Sequence, residues 1–172
     1  MCMSIIRIDN MGLIRKKISL EDDNLTFNLV FHSSLTLIRG NSGIGKTYLF
    51  NMLAKEALLD ANSNIICLNY MDLKSGHIKM VLNAAKNKVI IIDNADIVLD
   101  DEDRRKINFD TDNQYILFMR KFGCLKPSGY SFANLVIDKN KGYLSYPVIE
   151  NEKKMKQKHK KWMEMNSDSY LA

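Results

Sequence analysis

The 172 residues suffice for one domain with its own hydrophobic core, and 46% hydrophobic against 26% charged residues is a globular balance. Disordered, collagen-like and membrane-embedded classes are thereby excluded, since apolar runs such as Val89–Ile92 fall far short of the roughly 20 residues that span a bilayer. The net charge is +5, but Lys outnumbers Arg by 19 to 6 beside abundant Asn and Ile. An AT-rich coding sequence gives this mix, so the charge is not by itself the mark of an acidic partner.

Cys2, Cys67 and Cys124 are odd in number and widely spaced, and His32, His77 and His159 are equally scattered. Neither a disulfide framework nor a zinc site is suggested. No secretory pattern is visible at the N-terminus, and a reducing cytoplasm is the expected compartment.

In chain order, Ser4–Asp9 and Leu25–Phe31 read as strands with antiparallel potential, the second lying beyond the polar turn Glu21–Asn24. Leu35–Arg39 is an apolar run that ends at Gly40. Lys46–Asp60 carries Leu49, Phe50, Leu53, Ala57 and Leu58 at helical spacing. Ile65–Leu68 reads as a buried strand, and Ile78–Lys86 as a helix through Ile78, Val81, Leu82 and Ala85. Val89–Ile92 is β-branched and apolar throughout, as in a strand covered on both faces. Asp100–Lys106, acidic and then basic, suits an exposed helix or lid. Tyr115–Met119, Asn134–Ile137 and Tyr143–Tyr146 are further strands, the last two joined by a turn at Asn140-Lys141-Gly142. Strands alternating with helices predict a three-layer α/β fold. Its sheet is mostly parallel with helices on both faces, and short antiparallel strands precede it at the N-terminus.

Three of only eight glycines cluster in Gly40-Asn41-Ser42-Gly43-Ile44-Gly45-Lys46-Thr47, which matches G-x-x-x-x-G-K-[ST], the P-loop or Walker A pattern. An apolar strand precedes it and an amphipathic helix follows, as the motif requires. Backbone N–H groups of such a loop surround a phosphate, and glycines are needed where a Cβ would block that approach. The expected binding set runs from Gly40 through Asn41, Ser42, Gly43, Ile44, Gly45, Lys46 and Thr47 to Tyr48. Lys46 would reach the β- and γ-phosphates of ATP, and the Thr47 hydroxyl would bind Mg²⁺. Val89–Ile92 followed by Asp93 fits the Walker B pattern, which places a second Mg²⁺-binding oxygen at the strand's C-terminal edge. The alternative is a strand that merely ends in an Asp turn.

Gly40–Thr47, Asp93 and the strand order resemble those of the P-loop NTPases, in the branch of AAA-type, ABC-type and RecA-like ATPases, over roughly Leu35–Phe122. The resemblance implies ATP and Mg²⁺ as ligands and ATP hydrolysis as the reaction. Such families place a Glu after the Walker B Asp to polarise the attacking water. Here that position is Asn94, an amide that accepts no proton. Asp96 is a candidate substitute base, and a helix N-cap before Ile97-Val98-Leu99 is its alternative role. In the AAA-like order the strand Tyr115–Met119 lies between the P-loop and Walker B strands. Its tip makes Arg120 the candidate facing the γ-phosphate, the alternative being a solvated strand-end arginine. Arg104 and Arg105 follow four acids, Asp100 to Asp103, which favours a charge-paired surface helix over lid or finger arginines. No LSGGQ-like stretch appears, which argues against an ABC dimer.

Residues 1–150 are expected to form the nucleotide-binding domain and 151–172 a basic tail. Lys153–Lys161 with Trp162 in that tail suits nucleic-acid phosphates, an amphipathic partner-docking or membrane-surface segment, or a solvated helix. The resulting expectation is an ATP-binding protein of low turnover that switches with a protein partner or as a homo-oligomer. A small-molecule or nucleoside kinase, supported thinly by Asp72 and Arg104-Arg105, is one rival; a non-catalytic ATP-dependent adaptor or nucleic-acid module is the other. Strand order separates the first, because kinase-type sheets set the Asp93 strand beside Leu35–Arg39.

Overall fold

Short β-branched and aliphatic runs alternate with amphipathic helical stretches along the chain, and the computed structural model, which describes residues 13–40, 43–121 and 131–146, builds both. The strands are β1 (Lys17–Glu21), β2 (Thr26–Val30), β3 (Leu35–Arg39), β4 (Ile65–Leu68), β5 (Val89–Ile92), β6 (Gln114–Met119), β7 (Phe132–Asp138) and β8 (Lys141–Ser145). The helices are α1 (Lys46–Leu59), α2 (Tyr70–Lys74), α3 (His77–Ala84), α4 (Ala95–Val98) and α5 (Asp101–Phe109).

One eight-stranded sheet has the order β1-β2-β8-β7-β3-β6-β5-β4. Five pairings are parallel, and β1–β2 and β7–β8 are antiparallel. β6 therefore lies between the P-loop strand β3 and the Asp93 strand β5, in the ATPase-type order and not the kinase-type one.

The central strands are buried on both faces and sort their side chains between two cores by alternation. Leu35, Leu37, Ile90, Ile92, Tyr115 and Leu117 meet α3, α4 and α5. Ile38, Val89, Ile91, Ile116 and Phe118 meet Leu49, Phe50 and Leu53 of α1 on the other side, together with Phe27 and Leu29 of β2. This is the expected three-layer α/β arrangement.

Several local expectations change. The strand expected at Ser4–Asp9 lies outside the described residues, as does the tail 151–172 with Lys153–Lys161 and Trp162. The antiparallel partner of β2 is β1, whose Ile18 and Leu20 point inward between exposed Lys17, Ser19 and Glu21. The turn between them is held by Asp22, whose carboxylate accepts the Asn24 and Leu25 N–H groups at 2.8 and 2.9 Å. α2 was not expected. Asn69 caps it reciprocally with Asp72, the Asn69 side chain accepting from Met71 N and Asp72 from Asn69 N. Asp72, the acid of the kinase reading, also pairs with His77 Nδ1 at 2.9 Å. The acidic run does form a helix: α5 opens on a second such box between Asp100 and Asp103, and Lys79 of α3 pins Asp100 at 2.8 Å. Among the described residues, no helix is long and apolar enough to cross a membrane.

β2 and β8 pair in parallel with Phe27 opposite Gly142, and the Phe27 ring stands so close to the glycine that a Cβ there would collide with its Cδ1 and Cε1. Phe27 is fully buried and cannot retreat. Gly142→Ala should cost about 1–3 kcal/mol of stability as an overpacked site. Urea unfolding would measure the loss, and adding Phe27→Leu should recover part of it.

Candidate functional site

β3 ends at Arg39, and the chain must turn from its tip into α1 within the glycine cluster. Gly43 and Gly45 adopt φ of 91° and 94°, values that a side chain resists. Gly45 is the N-cap of α1, and its carbonyl receives the Leu49 N–H at 2.9 Å. A Cβ on Gly45 would also stand 2.7 Å from Cδ1 of Ile137 on β7, so this glycine is required twice. Asn41 and Ser42 lie outside the described residues.

At the mouth of α1 is a cleft of about 240 Å³ lined by Gly43, Gly45, Lys46, Thr47, Asp93, Asn94 and Arg120. Three strand ends deliver these groups: β3 the glycine turn, β5 Asp93 and β6 Arg120. The Lys46 ammonium donates to the Gly40 carbonyl. Burial first, and then the nearby Arg120 charge, hold Lys46 below the ordinary lysine value, while Asp93 and Asp96 oppose them. Two cations thus face one cleft at a helix N-terminus, and a bound anion would relieve both.

Asp93 is only 9% exposed and accepts two bonds from its neighbour, Asn94 N at 3.0 Å and Asn94 Nδ2 at 3.1 Å. Burial pushes its carboxyl above the ordinary carboxylate value; the Asn94 N–H, Lys46 and Arg120 pull the other way, and Asp96 adds to the rise. A half-dried carboxylate across from the Thr47 hydroxyl is a hard-oxygen set that suits Mg²⁺. Asn94 has φ of 50° and is the N-cap of α4. Its amide is bonded to Asp93.

The other expected residues separate. Gly40 and Ile44 line an adjoining hollow with Arg39, Asn134 and Leu135. Tyr48 turns its side chain away from the cleft, and its hydroxyl donates to the Asp22 carboxylate at the β1–β2 turn. Asp96 is not a helix N-cap, since Asn94 holds that position. It is not among the cleft-lining residues, and one carboxylate oxygen accepts the Lys121 N–H at 3.3 Å. Arg104 pairs with Asp101 at 3.3 Å, as in a charge-paired helix, yet its other arm donates to the Asp96 carbonyl at 3.2 Å. Arg105 is exposed. Ile137 was missed, and no local pattern marks it, because its partner Gly45 comes from the far end of the sequence.

The glycine turn between a buried parallel strand and a helix, with a carboxylate delivered by the next strand but one, defines a P-loop NTPase fold. Residues 36–122 match the model of the ATPase family associated with various cellular activities (AAA). The chain belongs to this family, in the AAA branch of the P-loop NTPases. Among curated proteins, no sequence matches it.

The sign of the Asp93 shift gives a test. With a folded-state value above the unfolded one, the folded state holds its proton longer, and stability falls as pH rises through the folded value. Asp93→Asn should therefore raise the melting temperature of the nucleotide-free protein at pH 7, by about 1–3 °C for a change below about 1 kcal/mol. The gain should shrink toward pH 4, which differential scanning calorimetry across pH would check.

Proposed function

We propose that the chain binds Mg-ATP in the cleft beside Gly43 and Gly45, hydrolyses it slowly, and acts as a nucleotide-dependent switch with a protein partner or a second copy of itself. The observation that carries this reading is the shared cleft of Lys46, Thr47, Asp93, Asn94 and Arg120 at the α1 N-terminus. Backbone N–H groups of the turn and Lys46 would hold the β- and γ-phosphates. Thr47 and Asp93 would hold Mg²⁺, which supplies charge neutralisation on the phosphate oxygens when bound. Arg120, at the tip of the strand between β3 and β5, would face the γ-phosphate. AAA membership and the inserted position of β6 favour an ATPase over a small-molecule kinase.

Slow turnover is argued from Asn94. It occupies the place after the Walker B Asp, its amide donates to Asp93, and it has no lone pair basic enough to take a proton from water. Asp96, the other candidate base, does not line the cleft. Residues 1–150 would be the nucleotide-binding unit, and 151–172 a basic tail for a partner, nucleic acid included. A cytoplasmic setting is consistent with the nucleotide supply this chemistry needs.

Mg-ATP at millimolar concentration should raise the melting temperature, as any ligand selective for the folded state does. Lys46→Ala should remove that rise. An unchanged melting temperature, or an equal rise in the variant, would defeat the reading.

Turnover is the second test. Absence of a general base costs about 10²–10⁴-fold in rate, so the isolated protein should turn over less than about once per minute. Asn94→Glu should accelerate phosphate release. Fast release by the unaltered protein, in a malachite green assay, would contradict the assignment, and an adaptor would release none in either form.

A further inference from the structure

Asp96 has a geometry that neither a base nor a cap explains. It stands one turn beyond Asp93 in α4, and its carboxylate Oδ2 accepts the backbone N–H of Lys121, 25 positions along the chain. Its Oδ1 is buried and has no hydrogen-bond partner among the described residues. A buried carboxylate oxygen left unpaired is costly and needs a compensating reason. The Asp96 carbonyl is in turn held by Nη2 of Arg104 on α5, whose own Nε is also buried without a partner.

The residue next to the bonded Lys121 is Arg120. On one side its chain is fixed by the last rung of β6, where Met119 pairs with Arg39 of β3. On the other side it leaves the sheet at once, and the next backbone N–H, that of Lys121, donates to Asp96 Oδ2 at 3.3 Å. Arg120 itself is exposed and lines the phosphate cleft. Long exposed arginines lose most of their binding value when the backbone beneath them moves.

Resting on the Mg-ATP reading above, we infer that Asp96 is a positioning residue: as a hydrogen-bond acceptor for the Lys121 N–H, it aims Arg120 at the γ-phosphate and so sets the preference for ATP over ADP. Arg104 braces it from α5. The role needs an acceptor, not a negative charge or a base.

The test compares the dissociation constants of Mg-ATP and Mg-ADP by isothermal titration for the full chain and its variants. The unaltered protein should favour ATP, and Arg120→Ala should reduce that preference about tenfold, the scale of a hydrogen bond to a charged group. Asp96→Ala should reduce it by a similar factor while leaving the ADP constant in place, and Asp96→Ala with Arg120→Ala should be no worse than Arg120→Ala alone. Asp96→Asn keeps the acceptor and the volume, and should restore the preference. A normal preference in Asp96→Ala would overturn the inference. So would an Asp96→Asn protein as impaired as Asp96→Ala, or effects that multiply in the double variant. An unaltered protein that binds neither nucleotide would instead bring down the Mg-ATP reading itself, and this inference with it.

Discussion

β3 is hydrogen-bonded along both edges, to β6 in full register and to β7 over its last three residues, so its tip has no freedom to move. The turn leaving that tip must therefore absorb the whole change of direction into α1. Gly43 and Gly45 do so with positive φ, and Ile137 on β7 closes the space over Gly45. The rest of the site inherits its coordinates from this junction. Lys46 and Thr47 are the first residues of the helix that the turn starts, and Asp93 and Arg120 arrive on the parallel strands beyond β3.

The fixed junction concentrates charge that the fold alone would not choose. Lys46 and Arg120 repel across the cleft, and Asp93 is dried out at the end of a fully buried strand. A protein optimised for stability would pair or remove these groups. Asn94 moderates the cost by giving Asp93 two hydrogen bonds, but in the left-handed conformation it must adopt to do so. An amide at this position donates to the carboxylate without adding charge beside it. A glutamate would add a second negative charge beside Asp93 and deepen the same penalty.

Most of this was legible in the sequence where a single physical demand dominates a short stretch. The β-branched run Val89–Ile92 has to be covered on both faces, and the glycine cluster has to turn, so strand limits and the Walker A turn follow directly. β1 was illegible because only Ile18 and Leu20 carry its apolar signal, and a two-residue alternation is indistinguishable from chance. α2 was legible in principle through Asn69-x-x-Asp72, a reciprocal cap that hydrophobic periodicity does not register. Tyr48 and Asp96 stand apart from the cleft lining for one reason. Residues close to them along the chain line the cleft, but their partners, Asp22 and Lys121, come from distant segments. Proximity in sequence to a motif says which element carries a residue, not which way its side chain turns.

The Tyr48–Asp22 contact also explains how a short chain covers the α1 face of its sheet. Among the described residues α1 is the helix on that face, and β1 and β2 extend the sheet past β8 so that Ile18, Leu20, Phe27 and Leu29 join Leu49, Phe50 and Leu53 in one core. Phe27 can do this because Gly142 leaves room for its ring between β2 and β8. Tyr48 then ties the far turn of the hairpin to the first turn of α1, with its ring 6.5 Å from that of Phe27. Successive helical residues point about 100° apart, so Thr47 can face the cleft while Tyr48 faces the hairpin. The same turn of helix thus anchors the added strands and lines the cleft with Thr47, so a shift of the β1–β2 turn would be felt one residue from that cleft.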